Sequence, residues 1–389
     1  MESVRDVRVT VVDVPFTEPE TWFFGRSWGL TSGVVEVETD DGVVGIGECP
    51  GIPTIAAAVQ TIETMTPLLV GHDASDILPF LRRVGMHGWH HFPYQGNLAV
   101  ASLEMAMWDI VGKVAGLPLH RLFGGLERSS VPFYWYVWVP DRDVETARAQ
   151  AAEGVARGFQ TVYLKIGFDL ANDLALVRAV RDEVGPDIAI RVDANEAWTP
   201  FTAIEALQAF EEVNLEFLEQ PIDMHDISGL AYLRGQTRTR IGANQSAWQV
   251  HQVPEILAQR AADVVVTDPH QLGGLHVFRD VAGMCEAARV PLVKHSFGDL
   301  GITTAATLHI LGGLHEPSLA HQTHLTILEH DLLASRLEFE GGRLEVPAGP
   351  GIGVELDRDA LQHYAELYES VGELPGYGNL DAESPFTSS

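Results

Sequence analysis

The sequence predicts an α/β protein: a TIM-type (β/α) barrel with an α+β N-terminal capping domain completed by the C-terminal segment. Three observations predict it. Short apolar runs repeatedly end in a polar residue, at Lys165, Asp193, Glu219, Asn244, Asp268, His295 and His321. Their separations are 28, 26, 25, 24, 27 and 26 residues, the length of one strand plus one helix. Between them lie stretches with helical apolar spacing, so the strands run parallel. One more run upstream, Val131 to Val139, brings the units to the number that closes a barrel, whose chemistry sits at the C-terminal strand ends.

The elements follow in order. Residues 4–14 alternate and read as a strand. Residues 16–30, with Phe16, Trp22, Phe23, Phe24, Arg26 and Trp28, read as an aromatic-rich loop. Strands over 33–39 and 43–47 flank Asp40-Asp41-Gly42, a hairpin signal. Helices are expected over 54–70, 74–84 and 95–115. A capping domain therefore spans 1–128, with Gly124-Gly125 as a hinge. The barrel spans 129–329, with helices over 143–157, 171–184, 201–213, 227–235, 248–260, 274–288 and 300–311. Residues 330–389 return through a hairpin-like turn, Gly341 to Pro347, and pack back on the cap. The polar tail Asp381 to Ser389 is expected to be disordered.

With 389 residues, 46% of them hydrophobic and 20% charged, the chain has the composition of a globular protein with a large core. A net charge of −29 opposes binding to nucleic acid or to anionic membranes. Cys49 and Cys285 lie far apart, so no disulfide framework and a reducing compartment are expected. The first residues hold no signal-peptide core, and no run approaches the roughly 18 apolar residues of a membrane span. A cytoplasmic enzyme is expected, as a homo-oligomer on base rates.

The strand ends carry the chemistry. Asp193, Glu219 and Asn244 offer three oxygens and two negative charges, a set suited to Mg²⁺. Lys165 stands one unit earlier, beside them, where a divalent cation lowers a lysine's pKa. Asp268 and His295 form an acid–base pair in which the carboxylate orients the ring. Lys165 and His295 are expected four strand steps apart out of eight, one on each face of a bound carbon. Tyr163 lies two residues before Lys165 and shares its face.

Several motifs carry a resemblance: Asp41-Gly42-Val43-Val44-Gly45-Ile46-Gly47-Glu48, Glu104 to Ile110, Leu164-Lys165-Ile166-Gly167, Val192-Asp193-Ala194-Asn195, Glu219-Gln220-Pro221, Gly273-Gly274 and Gly349-Pro350-Gly351-Ile352-Gly353. The whole chain resembles the enolase superfamily, on its mandelate racemase and muconate cycloisomerase side. Ala243-Asn244, Asp268-Pro269-His270, His295-Ser296 and Gln322-Thr323-His324 resemble glucarate dehydratases. The resemblance implies Asp193, Glu219 and Asn244 as Mg²⁺ ligands, and Lys165, His295 and Asp268 as catalytic residues. It implies a small-molecule carboxylate substrate, contacted by Tyr163, Asn195, His321 and Arg26. Arg26 lies in a segment that closes over the barrel mouth in this family, where it meets a second carboxylate. The chain departs from the family at Tyr163, where a first lysine is usual. The implied reaction is dehydration of a sugar acid after removal of the proton α to the carboxylate. The alternative is racemisation or epimerisation, which the aromatic segment favours for an apolar acid. A third reading, a metal-bound fold without catalysis, rests on Tyr163.

Overall fold

Seven strands pair in parallel and in strict chain order, because each is followed by a helix that returns the chain to the same edge. The computed structural model describes residues 2–315, 319–374 and 385. The tail expected over 381–389 lies outside these residues apart from Pro385, and so does Ser318, where the last barrel strand was expected to begin.

The chain opens with an antiparallel meander, β1 (Val4–Trp22), β2 (Gly25–Thr39) and β3 (Val44–Pro50). The expectation of a loop over 16–30 is corrected. The β1–β2 ladder breaks after Pro15 and resumes at Glu20↔Ser27, reaching Trp22↔Gly25. Prolines at 15 and 19 remove ladder donors and hide the alternation. Across the break, the Thr17 N–H finds the Ile327 carbonyl instead. Helices α1 (Ile55–Met65), α2 (Ile77–Met86) and α3 (Pro93–Ala115) pack on this sheet around Val35, Val37, Ile62, Phe80 and Leu103.

After the short α4 (Leu119–Leu122), the expected strand Val131 to Val139 divides in two. Its first part, β4 (Ser130–Pro132), pairs antiparallel with β12 (Arg343–Glu345). Only β5 (Trp135–Tyr136) joins the parallel sheet, because the Trp138 N–H is taken by Gln150 Oε1 rather than by a strand. The barrel wall then alternates α5 (Val144–Ala156), β6 (Thr161–Lys165), α6 (Leu170–Val184), β7 (Ala189–Asp193), α7 (Pro200–Phe210), β8 (Phe217–Glu219), α8 (Ile227–Arg234) and β9 (Ile241–Ala243). It continues with α9 (Gln252–Gln259), β10 (Val264–Thr267), α10 (Pro269–Leu272), α11 (Leu275–Ala288), β11 (Leu292–Lys294) and α12 (Gly301–Leu311). The circle closes through an extended stretch at His321. Phe133 bridges to it in parallel, and the Gln322 N–H donates to the Lys294 carbonyl. Lys165 and His295 are thus five steps apart one way and three the other, not four. Phe217, Val264, Val266 and Val293 fill the interior, with buried Arg191 among them donating to the Ala320 carbonyl.

Three buried carboxylates pin the cap to the rest, and they account for most of the motifs. Glu48 accepts from the Leu300 and Thr303 N–H groups at the start of α12. Glu104 accepts from Leu275 N–H and His276 N–H at the start of α11, and from Trp108 Nε1 on its own helix. Both place a carboxyl group on a helix N-terminus, and burial pushes that of Glu104 up to about 7 against its three hydrogen bonds. Asp109 joins Ile46 N–H to Ile352 N–H and pairs with Lys113. These contacts need glycine opposite them: a Cβ at Gly274 would lie 2.8 Å from Glu104 Cδ, and one at Gly351 2.1 Å from Asp109 Oδ1. The last helix, α13 (Arg358–Val371), lies along the cap, where Glu373 accepts from Ile55 N–H and Arg358 pairs with Glu36. Cys49 and Cys285 are free and buried. No helix of the described residues is long and apolar enough to cross a membrane.

Glu104→Ala should lower the unfolding free energy by about 2–5 kcal/mol, because it leaves three donors without their carboxylate. Denaturant titration of the two proteins checks this. A loss under about 1 kcal/mol would show that the pin is not structural.

Candidate active site

Parallel register sets the first part of the site. Lys165 pairs with Asp193 and Asp193 with Glu219, so three ionisable groups stand abreast at three adjacent strand ends. Asn244 follows the next strand, β9. Asp193 is fully buried, and its Oδ2 accepts from Lys165 Nζ and Tyr163 Oη, each at 2.8 Å. Its Oδ1 accepts from the Asn195 N–H at 2.8 Å. Burial lowers the Lys165 ammonium, but Asp193, Glu20 and Glu219 outweigh it and hold the group above the ordinary lysine value. Burial, then the charge of Asp193, pushes the Glu219 carboxyl well above its usual range. Glu219 Oε1 is buried with no partner. Asn244 donates its Nδ2 to the Val266 carbonyl at 3.1 Å, which turns Oδ1 the other way.

These features fit a hard divalent cation: two adjacent buried carboxylates, one unpartnered oxygen and a free amide oxygen. Among the described residues no group of three or more His, Cys, Asp or Glu is placed to hold a metal. The set reaches three only with Asn244. Gln220, singled out in sequence only as part of a motif, fixes that asparagine. Its Oε1 accepts from the Asn244 and Ser246 N–H groups, and its Nε2 donates to Ser246 Oγ. The backbone is strained here, with Asn195, Glu196 and Gln220 at φ 43, 65 and 34.

The second part of the site faces it across a cavity of about 420 Å³ between barrel mouth and cap, which Lys165, Asn195, Asn244 and His295 all line. His295 Nδ1 lies 3.1 Å from Asp268 Oδ2. Asp268 Oδ1 accepts from the His270 and Gln271 N–H groups, so the carboxylate is held rigidly at the start of α10. Burial lowers the His295 value despite Asp268, whereas Asp268 stays below the usual carboxylate range: burial opposes this, but His295 and other donors prevail. The pair therefore rests as neutral imidazole beside ionised carboxylate, with Nε2 free to take a proton.

The remaining expected residues are placed less directly. Tyr163 is fully buried and bonds Asp193 rather than facing the cavity. Arg26 does not line the cavity; its guanidinium donates to Thr21 Oγ1 and to the Pro140 carbonyl. His321 is fully buried, and its Nδ1 accepts from the Lys294 N–H as part of barrel closure. Lys294 points out of the barrel and pairs with Asp299. The sequence reading missed Glu20 and Ser296 as cavity residues, although the strand-like spacing of Glu20 and Trp22 could have signalled an inward face.

The enolase C-terminal domain-like model matches residues 146–360, and the mandelate racemase/muconate lactonizing enzyme N-terminal domain model matches 6–124. The chain belongs to the enolase superfamily, in its mandelate racemase/muconate lactonizing enzyme branch. It is 30% identical to a hydrophobic dipeptide epimerase of Enterococcus faecalis, over 97% of this chain and 99% of that one. An arabinonate dehydratase of Saccharolobus solfataricus is 29% identical, over 85% of this chain and 89% of that one. Among solved structures, an enolase from Streptomyces coelicolor described as a putative sugar isomerase has a TM-score of 0.89 at 33% identity, covering 97% of this chain and all of that one. An enolase from Thermobispora bispora complexed with magnesium and formate has a TM-score of 0.87 at 30% identity, covering 96% and 94%.

Asp268→Asn should cut the rate of α-proton exchange by ~10²–10⁴-fold, because the ring loses its orienting acceptor. Asp268 raises the His295 value, so its loss should also move the acid limb of the rate profile to lower pH. A pH–rate profile of both proteins on one turned-over carboxylic acid checks the sign, and an unmoved limb would detach Asp268 from His295.

Proposed function

We propose that the protein moves the proton α to a substrate carboxylate, as a racemase or epimerase of an α-substituted carboxylic acid. One observation carries the reading: Lys165 and the His295–Asp268 pair reach one cavity from separate sides of the barrel. Neutral His295, with its second nitrogen held by Asp268, takes the proton from one face of the α-carbon. Lys165, held as an ammonium by Asp193, delivers one to the other face. In the reverse direction the two exchange roles. Asp193, Glu219 and Asn244 would hold a Mg²⁺ ion, which supplies positive charge against the enediolate that proton removal creates. Phe16, Trp22, Phe24 and Trp248 line the cavity, a surface that suits an apolar substituent. The dipeptide epimerase relative agrees with this class of reaction.

The second reading is dehydration of a sugar acid, supported by the arabinonate dehydratase relative and by the polar wall of Asn195, Ser296 and Gln322. A diacid such as glucarate fits poorly, because Glu20 is a carboxylate on the cavity wall and Arg26 is turned away.

The two readings separate in one assay. Hydrophobic dipeptides and acid sugars are incubated with the protein, followed by polarimetry and by 2-keto acid detection. The proposal expects loss of optical purity without keto product; keto acid from a sugar acid alone overturns it. Exhaustive chelation should abolish the activity and added Mg²⁺ should restore it. Calorimetry should show one Mg²⁺ per chain, with Glu219→Gln weakening binding by at least about tenfold. Full activity and unchanged binding would remove the metal from the account.

A further inference from the structure

Glu20 belongs to the cap, yet it enters the cavity beside the reacting groups. It lies on the inner face of the β1–β2 hairpin, paired with Ser27 just beyond the ladder break. Its Oε1 accepts from Tyr136 Oη at 2.9 Å, and its Oε2 lies 3.4 Å from His324 Nε2. Ser296 is the other hydrogen-bond neighbour of His324. Ser296 Oγ accepts from the Gly298 N–H at 3.2 Å and the Asp299 N–H at 2.9 Å. Its own proton is therefore directed at His324 Nδ1, 2.9 Å away. That leaves Nε2 as the proton-bearing atom, facing Glu20. Both partners hold the carboxylate in place. Burial raises its value, but His324, Lys165 and Tyr136 outweigh burial and keep it below the usual carboxylate range, so it stands ionised on the wall.

A fixed carboxylate on a substrate cavity repels anions and attracts a cation. Its surroundings favour the same ligand. Phe16 stacks on His324 with centroids 5.9 Å apart, and the aromatic rings of Trp22 and Phe24 line the same wall. Aromatic faces next to a carboxylate stabilise an ammonium group. Lys165 is the one lysine or arginine lining the cavity among the described residues; its direct bond is to Asp193 on the barrel side, and it acts on Glu20 only through its charge.

We infer that Glu20 binds a cationic nitrogen of the substrate, so that the substrate is a zwitterion with its reacting carboxylate at the barrel and an ammonium group at the cap. The chemistry is that of a peptide amino terminus or a basic side chain on an amino-acid derivative. The inference rests on the proton-transfer reading of the same cavity. It adds what sets the substrate class: the hairpin of the cap, through Ser296, His324 and Tyr136, which position Glu20.

The test uses the Mg²⁺-loaded full chain and two ligand series that differ only in the ammonium group: L-alanyl-L-leucine and L-leucyl-L-phenylalanine, and their N-acetyl forms. Affinity is read by calorimetry, and α-proton exchange in D₂O by NMR on the same samples. The free-amine series should bind on the order of 10²-fold more tightly than the acetylated series. Glu20→Gln should reduce that preference to within about threefold by weakening the free-amine series. Glu20→Asp keeps the charge but withdraws it by one methylene, and should retain an intermediate preference. Equal affinity of the two series for the unaltered protein overturns the inference and needs no variant to do so. A preference that survives in Glu20→Gln, or binding of neither series, overturns it as well. Ammonium preference without exchange would keep Glu20 as the cation site and sink the proton-transfer reading. Exchange without ammonium preference would do the opposite.

Discussion

The register of three parallel strands fixes everything that follows. β6, β7 and β8 pair so that Lys165, Asp193 and Glu219 end abreast. One ammonium and two carboxylates are thereby buried at one rim, where water does not screen them. The cost of burying the two carboxylates together is visible in the upward-shifted Glu219 and its unpartnered oxygen. A slip of one residue in any of the three strands would turn its end group to the helical side. The remaining parts of the site, Asn244 held by Gln220 and His295 held by Asp268, are arranged around that rim.

The cap contributes in two ways. Its buried carboxyl groups, Glu48 and Glu104, sit on the N-termini of α12 and α11, so the cap is fastened to the barrel by hydrogen bonds to helix-end N–H groups. Its first hairpin then crosses the mouth and puts Glu20, Trp22 and Phe24 into the cavity. The groups proposed to transfer protons belong to the barrel wall, and those proposed to contact the substituent belong to a strand tip. Such a division lets substrate class change with little effect on the acid–base machinery.

The barrel was legible in the sequence because a polar residue recurs at nearly constant spacing, and that spacing reports the strand–helix unit directly. The chemical identities at the rim, Lys165, Asp193, Glu219, Asn244, Asp268 and His295, were legible for the same reason. Angular position was legible as well: Lys165, Asp193, Glu219, Asn244, Asp268 and His295 make five successive steps, so the expected four was a miscount, and closure through the short stretch at His321 leaves three the other way. The hairpin over 16–30 was hidden by Pro15 and Pro19, which break alternation without ending the ladder. Arg26, Tyr163 and His321 were expected at the substrate from residue type or resemblance. Their side chains are directed by contacts no local pattern encodes: the Pro140 carbonyl, Asp193 Oδ2 and the Lys294 N–H. Glu20 was missed because it meets His324 and Tyr136 only across the cap–barrel junction.

The central claim is that two groups on separate sides of one cavity each serve one face of the same carbon. The most direct measurement is stereochemically resolved deuterium incorporation in D₂O, followed by NMR on both epimers of a turned-over acid, in Lys165→Ala and in His295→Asn. The account predicts that Lys165→Ala loses exchange of one α-configuration while retaining some of the other, and that His295→Asn shows the reverse pattern. Exchange of both epimers left intact by either substitution would contradict it.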